Sequence, residues 1–136
     1  IKLSQKISKG IQDLLSDANQ IVTTVSVAKC KSLQKNKNFV FVDLRDYREI
    51  LKDGKIPGAF SCPRGMLEFW IDPDSPYHKE FFNQDKTYIF YCASAWRSAL
   101  ATKVAMEMGL SPVVHLEGGF NEWLKQGGAI ETIHKK

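Results

Sequence analysis

A chain of 136 residues, 43% hydrophobic and 25% charged, has the length of one domain and the composition of a soluble globular protein rather than a disordered or fibrous one. No apolar run approaches the roughly 20 residues that a membrane-spanning helix needs, so no membrane partner is expected. The net charge of +4 is unevenly placed: residues 1–38 hold seven lysines against Asp13 and Asp17, and the remainder is close to neutral. Those lysines are scattered, with no aromatic residue among them to stack a base. They read as a solvated face, not as a nucleic-acid interface.

Three cysteines, Cys30, Cys62 and Cys92, contain no Cys-x-x-Cys pair, which argues against a disulfide framework and a structural zinc site. His78, His115 and His134 have no metal-ligand spacing either, so no metal and no cofactor is expected. A reducing, cytoplasmic setting is the default reading of such thiols. The start at Ile1 rather than Met leaves a removed leader, and with it a periplasmic location, open.

Along the chain, Ile11, Leu14, Leu15, Ala18, Ile21 and Val22 recur at helical spacing and predict an amphipathic helix over 11–22. Val25–Val27 reads as a short strand, followed by a helix through Lys29–Gln34. The run FVFVD at 39–43 predicts a strand buried on both faces. Asp46 is a candidate helix N-cap with Glu49 in the capping-box position, and the helix 47–52 ends near Gly54. A short strand is expected around Phe60, and helical spacing over Gly65–Trp70 precedes a loop from Asp72 to Pro76. TYIFY at 87–91 predicts a further buried strand, residues 92–97 a connection, and 98–108 a helix stopped by Gly109. A strand at 113–116, a turn at Gly118–Gly119 and a helix at 120–126 complete the pattern. Residues 1–24 thus form an N-terminal helical extension, 25–130 the main domain and 131–136 a tail.

Apolar strands alternating with helices predict an α/β fold of three layers, a central mostly parallel sheet with helices on both faces. Ligands of such sheets bind beyond the carboxyl ends of the strands. Cys92 and Asp43 both stand there.

The segment Cys92-Ala93-Ser94-Ala95-Trp96-Arg97-Ser98 carries the chemistry. A tight loop between a strand and a helix turns backbone N–H groups inward, and the helix adds its unpaired N–H groups and the positive end of its dipole. The result is an anion cradle around one sulfur. A free thiol titrates near about 8.5, so a drop of roughly two units would make the thiolate the major form at neutral pH. Arg97 adds a cation at the mouth, suited to a sulfonate or sulfate group. The candidate site is therefore Cys92 as nucleophile, with Ala93, Ser94, Ala95, Trp96, Arg97 and Ser98 binding an anion. Trp70, Arg64 and Asp43 are candidate pocket residues, although Asp43 with Arg45 also reads as scaffold. Cys30 and Cys62 read as inert.

Three segments together resemble the rhodanese-like family: Val42-Asp43-Leu44-Arg45 with Gly54-Lys55-Ile56-Pro57-Gly58-Ala59, the loop Cys92–Arg97 with Ser98, and Leu116-Glu117-Gly118-Gly119-Phe120 with Trp123. The resemblance spans residues 25–128. It implies a single-domain sulfurtransferase that carries a sulfane sulfur as a persulfide on Cys92, taking it from a donor such as thiosulfate and giving it to cyanide or a thiol. A sulfur-relay protein is a further partner of this kind. A delivery or interaction module of the same fold with little turnover is the alternative. Related phosphatases and arsenate reductases have a seven-residue loop, whereas 92–97 is six. Lys55 stands where the family commonly has His, and Ala95 where the loop often has Gly. A left-handed backbone at Ala95 would cost about 1–2 kcal/mol.

Overall fold

Two five-residue strands with apolar side chains on both faces organise the molecule. The computed structural model describes residues 4–134, and the expected tail and extension lie outside the described residues at 1–3 and 135–136. The elements are α1 (Ile11–Ile21), β1 (Thr24–Val25), α2 (Val27–Leu33), β2 (Phe39–Asp43), α3 (Tyr47–Asp53), β3 (Phe60–Ser61), α4 (Leu67–Ile71), β4 (Thr87–Tyr91), α5 (Trp96–Met108), β5 (Val113–Leu116) and α6 (Gly119–Lys125). Short 3₁₀ turns at Arg64–Met66 and Glu80–Phe82 flank α4 and precede β4. The strands form one sheet in the order β1-β5-β4-β2-β3, and every pair is parallel. The expected three-layer α/β architecture is what forms.

The period-2 alternation of the two central strands divides the core. Phe41, Ile89 and Tyr91 point to one face, where Val27, Cys30 and Leu33 of α2 and Phe120 and Trp123 of α6 cover them. Val42, Tyr88 and Phe90 point to the other, under Leu67 and Ile71 of α4 and Ala101 and Ala105 of α5. The small residues on the inner side of α5 let that helix lie close to the sheet. Outside it, Leu15 and Ala18 of α1 pack on Ala99 and Leu100.

Four local differences from the sequence expectation have physical causes. Val27 opens α2 instead of ending a strand, because Ser26 caps the helix by accepting from the Lys29 amide at 3.2 Å. The loop before α5 is shorter than expected, with the helix starting at Trp96. Residues 80–82 form a turn that brings Phe81 and Phe82 against Phe60, with centroids 3.9 and 5.9 Å from it. The expected tail is docked at its first residue. Glu131 exchanges two backbone bonds with Lys55, at 2.8 and 3.0 Å, and its carboxylate accepts from the Gly58 amide. Just before it, the Ala129 carbonyl accepts from the Trp123 indole N–H.

Candidate functional site

Where β4 ends, the chain passes directly into the cysteine loop, and the neighbouring β5–α6 turn decides how that loop is folded. The amide of Phe120 donates to the Cys92 carbonyl at 2.8 Å, and the amide of Asn121 to the Ala93 carbonyl at 3.0 Å. These are N-terminal amides of α6, free because no earlier turn of helix supplies their acceptors. With both carbonyls held on that side, the planar peptide units turn the amides of Ala93 and Ser94 away from α6. Among the described residues, the amides of 93–97 donate to no protein group, and no side chain caps the start of α5. The next amide, that of Ser98, points at the Cys92 sulfur at 3.3 Å.

Two backbone positions make this possible. Gly119 (φ 65°) lies so close under the loop that a Cβ there would stand 2.6 Å from both the Cys92 and Ala93 oxygens, and no real side chain tolerates that. Ala95 adopts the left-handed conformation, φ 72°, ψ 1°, as the residue before α5. It is the non-glycine residue with positive φ among those described, so the conditional strain cost of alanine at this point is present in the fold.

Cys92 is 1% exposed and sits at the base of the loop. Ser94 and Trp96 are exposed at its rim, and Ala93, Ala95 and Arg97 are half-buried. Arg97, expected as a cation at the mouth, is ion-paired with Glu49. Its two terminal nitrogens donate to the two carboxylate oxygens of Glu49 at 2.7 and 2.9 Å, a bidentate pair that neutralises it. The hydrogen bonds to Arg97 hold the Glu49 carboxyl below its ordinary value, and Glu49 in turn raises that of Arg97. Glu49 serves two ends at once, since Oε1 also accepts from the Asp46 amide at 3.2 Å in the capping box of α3. Sequence reasoning assigned Glu49 to the cap alone. A partner 48 positions away left no local signal.

Ser98 contributes its amide but not its hydroxyl. Its Oγ lies 2.9 Å from His115 Nδ1, and His115 Nε2 lies 3.0 Å from Thr24 Oγ1. A neutral imidazole offers one donor and one acceptor nitrogen, which fits a ring held between two hydroxyls. Burial lowers the pKa of His115 to about 4, so the ring is neutral at neutral pH. This line runs from α5 through β5 to β1 beneath the loop.

Of the candidate pocket residues, Asp43 is fully buried and wholly engaged in scaffold. Its carboxylate accepts from Arg45 at 3.0 and 2.8 Å and from the Tyr91 hydroxyl at 2.6 Å. Arg45 also donates to the Gly54 carbonyl at 2.6 Å and lies over the Phe120 ring at 4.2 Å. The Tyr91 hydroxyl accepts from the Ile56 amide at 3.1 Å. Burial, and then the Asp43 carboxylate, push the Tyr91 phenol far up, so it stays neutral, donating to Asp43 and accepting from Ile56. Trp70 packs edge-on against Phe60 with Lys79 above its ring, and Arg64 pairs with Glu68 at 2.9 Å. Both side chains are thus engaged by their own surroundings. Burial raises Cys30 to about 11 and Cys62 to about 12, which makes both poor nucleophiles, and among the described residues no cluster suited to a metal ion occurs.

Two outcomes follow from this geometry. Ala95→Gly relieves the left-handed strain, so it is expected to raise unfolding stability by about 1 kcal/mol while changing activity no more than a few-fold; chemical denaturation and steady-state rates check both. The buried His115 gives a pH signature. Its folded pKa is depressed, so between about 6.5 and 4 the unfolded chain binds the extra proton and stability falls as pH falls. Relative to His115→Asn, the wild type is expected to lose about 3 kcal/mol more between pH 7 and pH 4, read from urea midpoints.

Comparison with known proteins agrees with this architecture. The model of the rhodanese-like domain matches residues 26–126. The mouse thiosulfate sulfurtransferase/rhodanese-like domain-containing protein 3 is 30% identical over 105 residues, covering 74% of this chain and 67% of that protein. A solved protein of unknown function from Rhodopseudomonas palustris, named a possible tyrosine phosphatase, superposes with a TM-score of 0.93 at 54% identity, covering 96% of this chain and all of that one. The human single-domain sulfurtransferase superposes with a TM-score of 0.67 at 25% identity, covering 79% of this chain and 99% of that one. Matched along most of its length by the family model, this chain belongs to the rhodanese-like domain family.

Proposed function

We propose that this chain is a sulfurtransferase that carries sulfane sulfur as a persulfide on Cys92. The observation that supports the reading is a cysteine whose sulfur accepts from the Ser98 amide at 3.3 Å, at the start of a loop whose amides 93–97 have no protein acceptor among the described residues. A persulfide adds one atom beyond Sγ and places its negative charge on that atom, within the ring of amides. Hydrogen bonds to a charged acceptor contribute about 1.5–3 kcal/mol each, so a few suffice to stabilise the anion beside a sulfur that is 1% exposed.

The cycle is a double displacement. The Cys92 thiolate attacks the outer sulfur of a donor such as thiosulfate; the new Sγ–S bond forms as the donor's S–S bond breaks, and sulfite leaves with the electron pair. A thiophilic acceptor, cyanide or a thiolate, then attacks the outer sulfur of the persulfide and returns Cys92 to the thiolate. Enclosure of Cys92 suits a donor that presents a single terminal sulfur.

The likeness to the Rhodopseudomonas protein supplies the second reading, phosphate-ester hydrolysis. The loop argues against it: with four residues between Cys92 and Arg97, the cradle fits one sulfur better than a tetrahedral phosphoryl group. Pairing of Arg97 with Glu49 also removes the free guanidinium such a group would need. Intact mass after incubation with excess thiosulfate decides between them. The wild type is expected to gain about 32 Da, one sulfur, reversed by reductant and absent in Cys92→Ser. No gain in mass, together with turnover of an aryl phosphate, would overturn the proposal.

A further inference from the structure

The first turn of α5 has no local lock. Its N-cap is Ala95, whose methyl group cannot cap and whose backbone is left-handed. What holds the turn comes from elsewhere in the fold. Ser98 is fully buried and fixed at three points. Its amide donates to Cys92 Sγ at 3.3 Å, its hydroxyl lies 2.9 Å from His115 Nδ1, and its carbonyl accepts from the Thr102 hydroxyl at 2.7 Å. His115 belongs to the sheet. Its backbone amide donates to the Thr23 carbonyl at 3.0 Å, and it lies in register with Thr24 of β1 and Phe90 of β4. Its ring reaches the Thr24 hydroxyl through Nε2 at 3.0 Å. On the outer side, Leu15 and Ala18 of α1 press on Ala99 and Leu100, the two residues after Ser98. A ring held at both nitrogens within a parallel sheet thus grips the residue whose amide reaches the sulfur.

We propose that His115 is a positioning residue for sulfur transfer: through the Ser98 hydroxyl it holds the Ser98 amide on Cys92 Sγ, and that amide stabilises the charge returning to Sγ when the persulfide is discharged. The inference rests on the sulfurtransferase reading and gives its second half-reaction a residue that acts only through another. In the persulfide the negative charge lies on the outer sulfur. When cyanide attacks that sulfur, a C–S bond forms, the Sγ–S bond breaks and its electron pair stays on Sγ. Thiocyanate leaves, and the products carry as many negative charges as the reactants. Charge therefore moves onto the atom that the Ser98 amide faces, so this hydrogen bond strengthens in the transition state and lowers the barrier. Loading runs the other way. There the charge starts on Sγ and moves out to the donor, and the bond that favours the thiolate also makes it a weaker nucleophile. The two effects oppose each other in loading; only discharge gains outright.

The test measures the two half-reactions separately, by single turnover, loading with thiosulfate and discharging the loaded protein with cyanide. It compares the wild type with Ser98→Ala, His115→Phe and His115→Asn. Phe keeps a ring and loses both hydrogen bonds, whereas Asn presents a polar atom where His115 has Nδ1 and keeps the bond to Ser98. Ser98→Ala and His115→Phe are expected to slow discharge about ten-fold, the low end for one hydrogen bond to a charged acceptor, and loading by no more than about two-fold. His115→Asn is expected to discharge within about two-fold of the wild type. Equal slowing of both half-reactions in Ser98→Ala, as loosened packing alone would produce, overturns the assignment, and so does discharge at the wild-type rate. Discharge as slow in His115→Asn as in Ser98→Ala overturns it too. If His115→Phe does not fold, Ser98→Ala, which removes a single oxygen, decides with His115→Asn. A wild type that takes up no sulfur at all overturns the sulfurtransferase reading itself, so the two failures are told apart.

Discussion

Two hydrogen bonds between backbone groups set the character of the site: those that tie the carbonyls of Cys92 and Ala93 to the first amides of α6. A peptide unit carries its N–H and C=O on opposite sides. Anchoring the carbonyls on the α6 side therefore turns the amides of Ala93 and Ser94 away from α6, while the Ser98 amide donates to the sulfur. The contact is close enough that position 119 admits only glycine, and the loop turns back into α5 through a left-handed residue at Ala95. Without the anchor, the loop would have other ways to pair its polar groups, and the sulfur at its base would face them as an ordinary buried thiol.

A second, fully buried unit holds the two halves of that anchor in place. Arg45 donates to Asp43 and the Gly54 carbonyl and lies over Phe120, the residue whose amide donates to the Cys92 carbonyl. Tyr91, the last residue of β4, bonds the same Asp43. One ion pair thus connects the ends of β2 and β4, the turn after α3 and the start of α6. Burial works against the charge on Arg45, and the Asp43 carboxylate more than compensates. A charge pair so enclosed contributes position more than stability, since its desolvation offsets most of its attraction.

The central strands were legible because FVFVD and TYIFY are short, largely apolar on both faces and rich in β-branched and aromatic residues, as a buried strand is, and they occur at the expected residues. The α3 capping box was legible because its two partners lie three residues apart. The start of α2 was not: Val25 and Val27 suggest a strand by side-chain type, and the Ser26 cap between them decides otherwise. Cys92 and its loop stood out as a strand-to-helix connection rich in small residues. What surrounds them did not, because the Arg97–Glu49 pair, the Ser98–His115–Thr24 line and the α6 anchor join residues far apart in the chain. Their meeting is a property of strand order, and strand order is not written in any local window. Trp70, a candidate pocket residue, meets Phe60 and Lys79, contacts its sequence neighbourhood does not announce.

The claim that loop amides hold the sulfur is tested most directly by following the backbone amide signals of uniformly ¹⁵N-labelled protein while Cys92 is converted from thiol to persulfide. The account predicts that the protons of residues 93–97 move downfield together, as free N–H groups acquire a charged acceptor, while those of Phe120 and Asn121 stay in place. Shifts confined to other parts of the molecule, with 93–97 unmoved, would contradict it.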